Sequence, residues 1–334
     1  MRIGIIGVGG AVGSAFAFEF QKSGHEVFGI DQEREIQKIK EKKFILSPFS
    51  KEKKILKLKA FSIEEKEVLE NIKNCDLLFF AIPRPLKKSL FFYFQKLSQE
   101  KKEIPFLFFI QNGLDVKEEV LEVFDLFFEK KEREKIIRAI LLNPFLKEVK
   151  EEKIIIKYSL PFKILIAIER EKRDFFRSFG PNFSFYFFSK KEEKNLEYSK
   201  LFLNLFGMAS AVYGFSLREG LLKKEILEKE ILALKEYLLV VQKNKGKILN
   251  LPDYPLKIFS FFISFFPLKF FYFLRRMILF FVLKKREYRE KSLREIDFYN
   301  GEVVRLAKRL KIETRTNEEI WQKGKELLKI LEKN

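Results

Sequence analysis

Four places in this 334-residue chain carry residue types and spacings that could do chemistry. The first is Gly7-Val8-Gly9-Gly10-Ala11-Val12-Gly13, which follows an apolar run and opens an apolar helical pattern. Glycines suit such a place because the chain must turn tightly and a pyrophosphate must approach the N–H groups at a helix N-terminus. The spacing departs from G-x-G-x-x-G, since the third glycine arrives one residue late, at Gly13. An ordinary strand-to-helix turn could also use glycines, but a second apolar run, Val27-Phe28-Gly29-Ile30, ends in Asp31. That is where an acid meets the ribose hydroxyls of a dinucleotide; Asp31 could equally be the N-cap of the next helix. The second place is Lys200 with Asn204, one helical turn apart and so on one face, in apolar surroundings. A lysine there either snorkels to solvent or is held as a functional cation. The third is Glu295, a carboxylate that could work on a substrate or simply complete a capping box with Ser292. The fourth is Asn112-Gly113 after an apolar run, where nothing beyond a turn is required.

The rest of the composition narrows the chemistry. A single cysteine, Cys75, permits no intramolecular disulfide and no cysteine-cluster metal site, and a single histidine, His25, removes histidine-based metal sites. No metal is expected, a Ser-His-Asp triad has little support, and a general acid must be Lys, Tyr, Asp or Glu. His25 precedes the second apolar run and reads as structural. The net charge of +19 suggests nucleic acid or a membrane surface, yet lysines alternate with glutamates throughout, as in Glu129-Lys130-Lys131-Glu132. With no purely basic tract and no nucleic-acid module, a solvated mixed-charge surface is the expectation, and no nucleic-acid partner. Such a field would still favour anionic substrates and cofactors.

The elements that must position these groups fall into two sets. In the first, strands are expected at Arg2–Ile6, Val27–Ile30, Asp76–Ile82 and Pro105–Ile110, with helices near Ala11–Ser23, Ile63–Asn71 and Leu86–Leu97. That alternation predicts a doubly wound parallel sheet of Rossmann type. Ile136–Leu142, Lys153–Tyr158, Lys163–Ile168 and Phe183–Phe187 read as further strands that extend or edge it. After Ser189 helices dominate, at Lys190–Tyr213, Lys223–Lys243, a Phe-rich pair between Pro255 and Lys284, Leu293–Leu310 and Glu318–Leu331. The last is expected to open on a Thr316–Glu319 capping box. The expected architecture is an α/β dinucleotide-binding domain at 1–188 and a helical substrate-binding domain at 189–334.

Taken together, these segments resemble the ketopantoate reductase family (2-dehydropantoate 2-reductase) over nearly the whole chain. The resemblance rests on Gly7–Gly13, Gly24-His25-Glu26-Val27, Gln111-Asn112-Gly113, Ser199-Lys200-Leu201 leading to Asn204, the run from Glu295-Ile296-Asp297 to Asn300-Gly301, and Ile312-Glu313-Thr314-Arg315-Thr316-Asn317. It implies hydride transfer from a nicotinamide to the ketone of a small 2-oxo acid, giving (R)-pantoate in pantothenate and coenzyme A biosynthesis. Lys200 would donate the proton or stabilise the alkoxide, and Glu295 would position the substrate hydroxyl and hold Lys200. Asn112 would lie beside the nicotinamide and Asn204 would bind substrate. A related reductase of another branched 2-oxo acid, an opine-type dehydrogenase and a non-catalytic dinucleotide-binding protein are the alternatives. The oligomeric state stays open, a homodimer being one reading.

The chain departs from the family at several points. Pro83-Arg84-Pro85 stands where a lysine is usual, Gly207-Met208 replaces a second helix asparagine, and Leu283 replaces a substrate-contacting serine. The family mostly uses NADPH, whose 2′-phosphate wants an arginine just after the second strand, whereas here Asp31-Gln32 follows it and argues for NADH. Arg34 is close enough to keep NADPH open.

The first strand begins at once, so no secretory leader is read and a cytoplasmic location is expected. The Phe-rich stretch from Ile258 to Leu283 is interrupted by Pro267, Lys269, Arg275 and Arg276, leaving no uncharged run near the ~20 residues of a membrane span. The protein should therefore be released by carbonate extraction, and retention of most of it in the membrane fraction would contradict this reading.

Overall fold

The computed structural model describes residues 1–48, 53–65, 67–99, 103–273, 275 and 292–333. It divides into two compact units: Met1–Gln111 with Asp115–Glu193, and Asn112–Leu114 with Lys194–Asn334. The division falls a few residues beyond the expected 188/189 boundary, and the short Asn112–Leu114 segment groups with the second unit.

The first unit begins β1 (Arg2–Ile6), α1 (Ala11–Lys22), β2 (Glu26–Asp31), α2 (Glu33–Glu41), β3 (Lys43–Pro48), β4 (Lys54–Ile55) and β5 (Lys59–Ser62). It continues with α3 (Glu67–Lys73), β6 (Leu77–Phe80), α4 (Lys87–Ser98), β7 (Phe106–Phe109), α5 (Val116–Phe124), β8 (Ile136–Leu141), β9 (Phe145–Val149) and β10 (Lys153–Tyr158). It closes with β11 (Phe162–Ala167), α6 (Asp174–Arg177) and β12 (Phe183–Phe188). Eight strands form one sheet in the order β12-β11-β8-β7-β6-β1-β2-β5. Its neighbours are parallel except β8 and β11. Central strands are apolar without alternation, as in Leu77–Phe80, because helices cover both faces.

One strand expectation fails. Lys153–Tyr158 does not edge the large sheet; it pairs with β3 and β9 in a separate sheet ordered β4-β3-β10-β9. The reason lies in α1, whose Ala15, Phe16, Ala17 and Phe20 are wholly buried. A helix apolar around most of its circumference needs cover on two sides. The large sheet supplies one side, and the small sheet packs on α1 from the other. Glu19, also wholly buried on α1, accepts from Tyr158 Oη at 2.7 Å and from Asn182 Nδ2 at 2.5 Å.

The second unit is helical: α7 (Glu193–Leu205), α8 (Met208–Val212), α9 (Leu217–Leu222), α10 (Lys224–Lys243), α11 (Leu256–Phe265), a 3₁₀ segment Leu293–Phe298, α12 (Asn300–Arg309) and α13 (Arg315–Lys333). The single helix expected over Lys190–Tyr213 is interrupted at Gly207, which sits at φ 96°. The freed backbone is held by the buried Glu230, which accepts from Gly207 N at 3.0 Å and Ser210 N at 2.9 Å. The family asparagine missing at Gly207-Met208 is thus replaced by a helix break.

The capping box expected at Thr316–Glu319 is also absent. α13 starts at Arg315, so Thr316 and Asn317 lie inside its first turn. Their amides donate to Glu236 of α10, at 2.8 Å to Oε1 and 2.9 Å to Oε2. Glu319 instead accepts from Lys229 and from Tyr213. A carboxylate at a helix N-terminus satisfies orphan donors and opposes the helix dipole.

Of the Phe-rich stretch, α11 packs on α10 through its buried side, while Ile258, Phe261 and Phe265 are exposed. Residues 276–291, including Arg276 and Leu283, lie outside the described residues. Among the described residues no helix is long and apolar enough to cross a membrane. The cap makes a stability prediction: Glu236→Ala should cost about 1–3 kcal/mol, read as a lower melting temperature. An unchanged melting temperature would show that water replaces the carboxylate at no cost.

Candidate active site

In the first unit the glycine turn lies at the C-terminal end of β1, between β2 and β6, where the strand order reverses. Ligands of open α/β sheets bind at this switch point. Gly7 holds φ 88° and donates its N–H to Ile30 O at 2.8 Å. A Cβ on Gly13 would stand 2.3 Å from Gly7 O, so only glycine lets α1 approach the strand end this closely. Gly13, one residue late, therefore does the helix–strand packing of the third glycine in a dinucleotide fingerprint. The N-cap of α1 is Gly10, with no side chain closing the helix end. Its first-turn amides, including those of Ala11, Val12 and Gly13, have no intrahelical acceptor and suit an anion. These residues fit a dinucleotide pyrophosphate.

Asp31 ends β2 and turns back onto the glycine turn. Its Oδ2 accepts from Gly9 N at 2.8 Å and its Oδ1 from Gln32 N at 2.8 Å. Gln32, not Asp31, is the N-cap of α2, which removes the simple capping role. Burial pushes the Asp31 carboxyl above its ordinary value, against the opposing pull of the Gly9 and Gln32 amides; Glu35 adds to the rise and Lys147 reduces it. Arg84, in place of the family lysine, pairs through Nε with Glu119 Oε2 at 2.8 Å, both side chains nearly buried. His25 Nδ1 lies 3.4 Å from the Met1 N-terminus, and burial holds the ring below its ordinary pKa.

In the second unit Asn112, Glu295 and Asn204 are joined by hydrogen bonds. Asn112 Nδ2 donates to Glu295 Oε1 at 2.8 Å, and Asn204 Nδ2 donates to Asn112 Oδ1 at 3.4 Å. Lys200 is on α7 one turn before Asn204, half-buried. The capping role left open for Glu295 is not what forms: the Ser292 hydroxyl accepts from Arg294 N, and the Glu295 carboxylate is engaged elsewhere. Asn112 and Glu295 are half-buried while Asn204 is buried, so the polar tips rest on a dry support.

Two residues of this cluster were missed in the sequence. Tyr299, 4% exposed, donates its hydroxyl to Glu295 Oε2 at 2.6 Å, so both carboxylate oxygens have a fixed donor. Its spacing of four residues from Glu295 was visible, but the intervening 3₁₀ segment gave no helical face to read it on. Glu302 of α12 accepts from Leu114 N, holding the backbone just after Asn112. Gln111, the preceding residue, donates to Phe80 O at 2.8 Å and Ile82 O at 3.1 Å in the first unit.

Comparison with known proteins identifies the family. The family model "Ketopantoate reductase PanE/ApbA" matches residues 3–151, and "Ketopantoate reductase PanE/ApbA C terminal" matches residues 285–327. No curated protein matches the chain. Among solved structures, the chain is similar to a PanE/ApbA family ketopantoate reductase from Ralstonia eutropha, with 16% identity, 97% of each chain covered and a TM-score of 0.70. It is similar to D-mandelate dehydrogenase solved with NADH and anilino(oxo)acetate, with 17% identity, 97% of each chain covered and a TM-score of 0.67. A dimeric ketopantoate reductase from Staphylococcus aureus aligns with 16% identity over 97% of this chain and 98% of the other, at a TM-score of 0.62. At such identities the likeness is one of fold. The two family models together span more than half of the chain, from its glycine turn to its last helix, and the chain belongs to the ketopantoate reductase (PanE/ApbA) family of NAD(P)-dependent 2-oxo acid reductases.

Proposed function

We propose that this protein reduces 2-dehydropantoate (ketopantoate) to (R)-pantoate, with NADH preferred or used alongside NADPH. The observation that carries the reading is the hydrogen bond between Asn112 and Glu295, which joins two family motifs 183 residues apart in sequence. Bound reduced nicotinamide supplies the hydride for the carbonyl carbon. Lys200, as an ammonium, stabilises the charge that develops on the carbonyl oxygen and hands it a proton, giving the 2-hydroxy acid. Glu295 accepts the substrate hydroxyl and holds the Lys200 ammonium, its orientation set by Asn112 and Tyr299. Asn112 borders the nicotinamide and Asn204 contributes to substrate binding. Asp31 accepts from the ribose hydroxyls, which favours NADH.

A second reading, reduction of another branched 2-oxo acid, is favoured by the helix break at Gly207, which removes one family asparagine from α7. A homodimer is carried over from the dimeric Staphylococcus aureus relative. NADH and NADPH oxidation against a panel of 2-oxo acids tests both readings. Ketopantoate should give the highest kcat/KM; a different best substrate supports the second reading, and no turnover with any supports a dinucleotide-binding protein without catalysis.

Lys200→Ala should lower kcat by about 10²–10³ while leaving dinucleotide affinity nearly unchanged. Near-native turnover would remove Lys200 from the mechanism. Tyr299→Phe takes one donor from Glu295 without disturbing the ring's packing. A net loss of about 1 kcal/mol of orientation, roughly fivefold in kcat, is expected with dinucleotide binding unaltered. A wild-type kcat would show that Asn112 alone suffices to orient the carboxylate.

A further inference from the structure

Beside Gly9 the first unit gathers two carboxylates and two lysines. Asp31 Oδ2 and Glu35 Oε2 lie 3.1 Å and 3.2 Å from the one point where a Cβ on Gly9 would stand. Two carboxylates therefore border the same spot on the glycine turn. Glu35 sits in the first turn of α2 and carries two lysines. Lys38 Nζ is 2.6 Å from its Oε1, and Lys147 Nζ is 3.6 Å from its Oε2. Lys147 comes from β9 of the small sheet and also donates to Gly9 O at 2.6 Å, which fixes its ammonium at the turn. Burial alone would raise the Glu35 carboxyl; the hydrogen bond from Lys38 and the charge of Lys147 outweigh it and hold the group below its ordinary value. Glu35 is thus an anion at neutral pH. Arg34 is largely exposed, its Nε 3.9 Å from Glu35 Oε1.

We infer that Glu35 sets which dinucleotide this chain accepts, by occupying with its own carboxylate the Lys38–Lys147 pair that a ribose 2′-phosphate would otherwise take. The inference rests on the reading of the glycine turn as the dinucleotide site. NADH presents two neutral ribose hydroxyls, which Asp31 can accept and to which the Glu35 charge is nearly indifferent. NADPH brings a phosphate of about −2 charge beside two carboxylates, while the nearest ammonium groups are already paired. Like charges at this separation oppose binding, and their cost is greater in a partly buried place than in water. With the Glu35 charge removed, two lysines face the phosphate and one carboxylate remains. Asp31 is the acid that the fingerprint anticipates; Glu35 and its lysine pair belong to this chain's own packing of α2 against the small sheet.

The test is direct binding, read from nicotinamide fluorescence during titration with NADH and with NADPH. Glu35→Gln should tighten NADPH about tenfold or more and change NADH by less than about threefold. Adding Lys38→Met and Lys147→Met to that variant should abolish the gain, since the lysines supply it. An unchanged NADPH-to-NADH ratio in Glu35→Gln, or a gain that survives loss of both lysines, overturns the inference. Asp31→Asn separates this from the underlying reading, because it should weaken NADH whatever Glu35 does. If Asp31→Asn leaves NADH binding untouched, the dinucleotide reading of the turn itself fails. An Asp31→Asn effect without a Glu35→Gln effect overturns only the role of Glu35.

Discussion

The first unit depends on how closely α1 approaches the end of β1. The point where a side chain at Gly13 would begin lies 2.3 Å from the Gly7 carbonyl, so any Cβ would push the helix off the strand. That contact fixes the N-terminus of α1 at the switch point of the sheet. It also leaves α1 with a far side to cover, where the wholly buried Glu19 accepts from Tyr158 of the small sheet. The small sheet answers this need and in doing so brings Lys147 of β9 to the Gly9 carbonyl. A packing constraint on one glycine thus ends in the charge pattern around the turn.

The helical unit repeatedly uses one device, a carboxylate that accepts backbone N–H groups at chain breaks. Glu230 holds the interruption at Gly207, Glu236 the start of α13, and Glu302 the backbone at Leu114. Each converts orphan donors into charge-assisted hydrogen bonds, which are stronger than neutral ones. Glu295 is held differently. Its donors are side chains, Asn112 and Tyr299, so its geometry is set by groups that are not obliged by secondary structure. A carboxylate held in this way, half-buried with both oxygens engaged by side chains, contributes little to closing a helix.

A chain with one histidine must meet the charge of carbonyl reduction by other means. An ammonium can both stabilise an alkoxide and protonate it, and a nearby carboxylate keeps it charged and oriented. In the proposed mechanism Lys200 and Glu295 divide this work. The ion pair between Arg84 and Glu119 shows the contrast, because both side chains are nearly buried and the second carboxylate oxygen is held by the Leu86 amide.

Much of the architecture was legible in the sequence. Strand–helix alternation over residues 2–110 predicts the parallel sheet because strands buried on both faces are continuous apolar runs, and β1, β6 and β7 have that character. The glycine turn, Asp31, Lys200, Asn204, Asn112 and Glu295 were visible as residue types at telling spacings and through a family resemblance. The small sheet was not, since pairing of β3 with β10 joins segments more than 100 residues apart and no local pattern encodes a partner. The cap at Thr316–Glu319 misled for a related reason: it satisfies a local rule, but Glu236 offers a distant partner that competes with it. The sequence by itself determined which backbone could turn, which runs had to be buried and which side chains carried charge. Tertiary structure alone decided which carboxylate each donor meets, because hydrogen-bond partners are chosen by proximity in space and not by spacing along the chain.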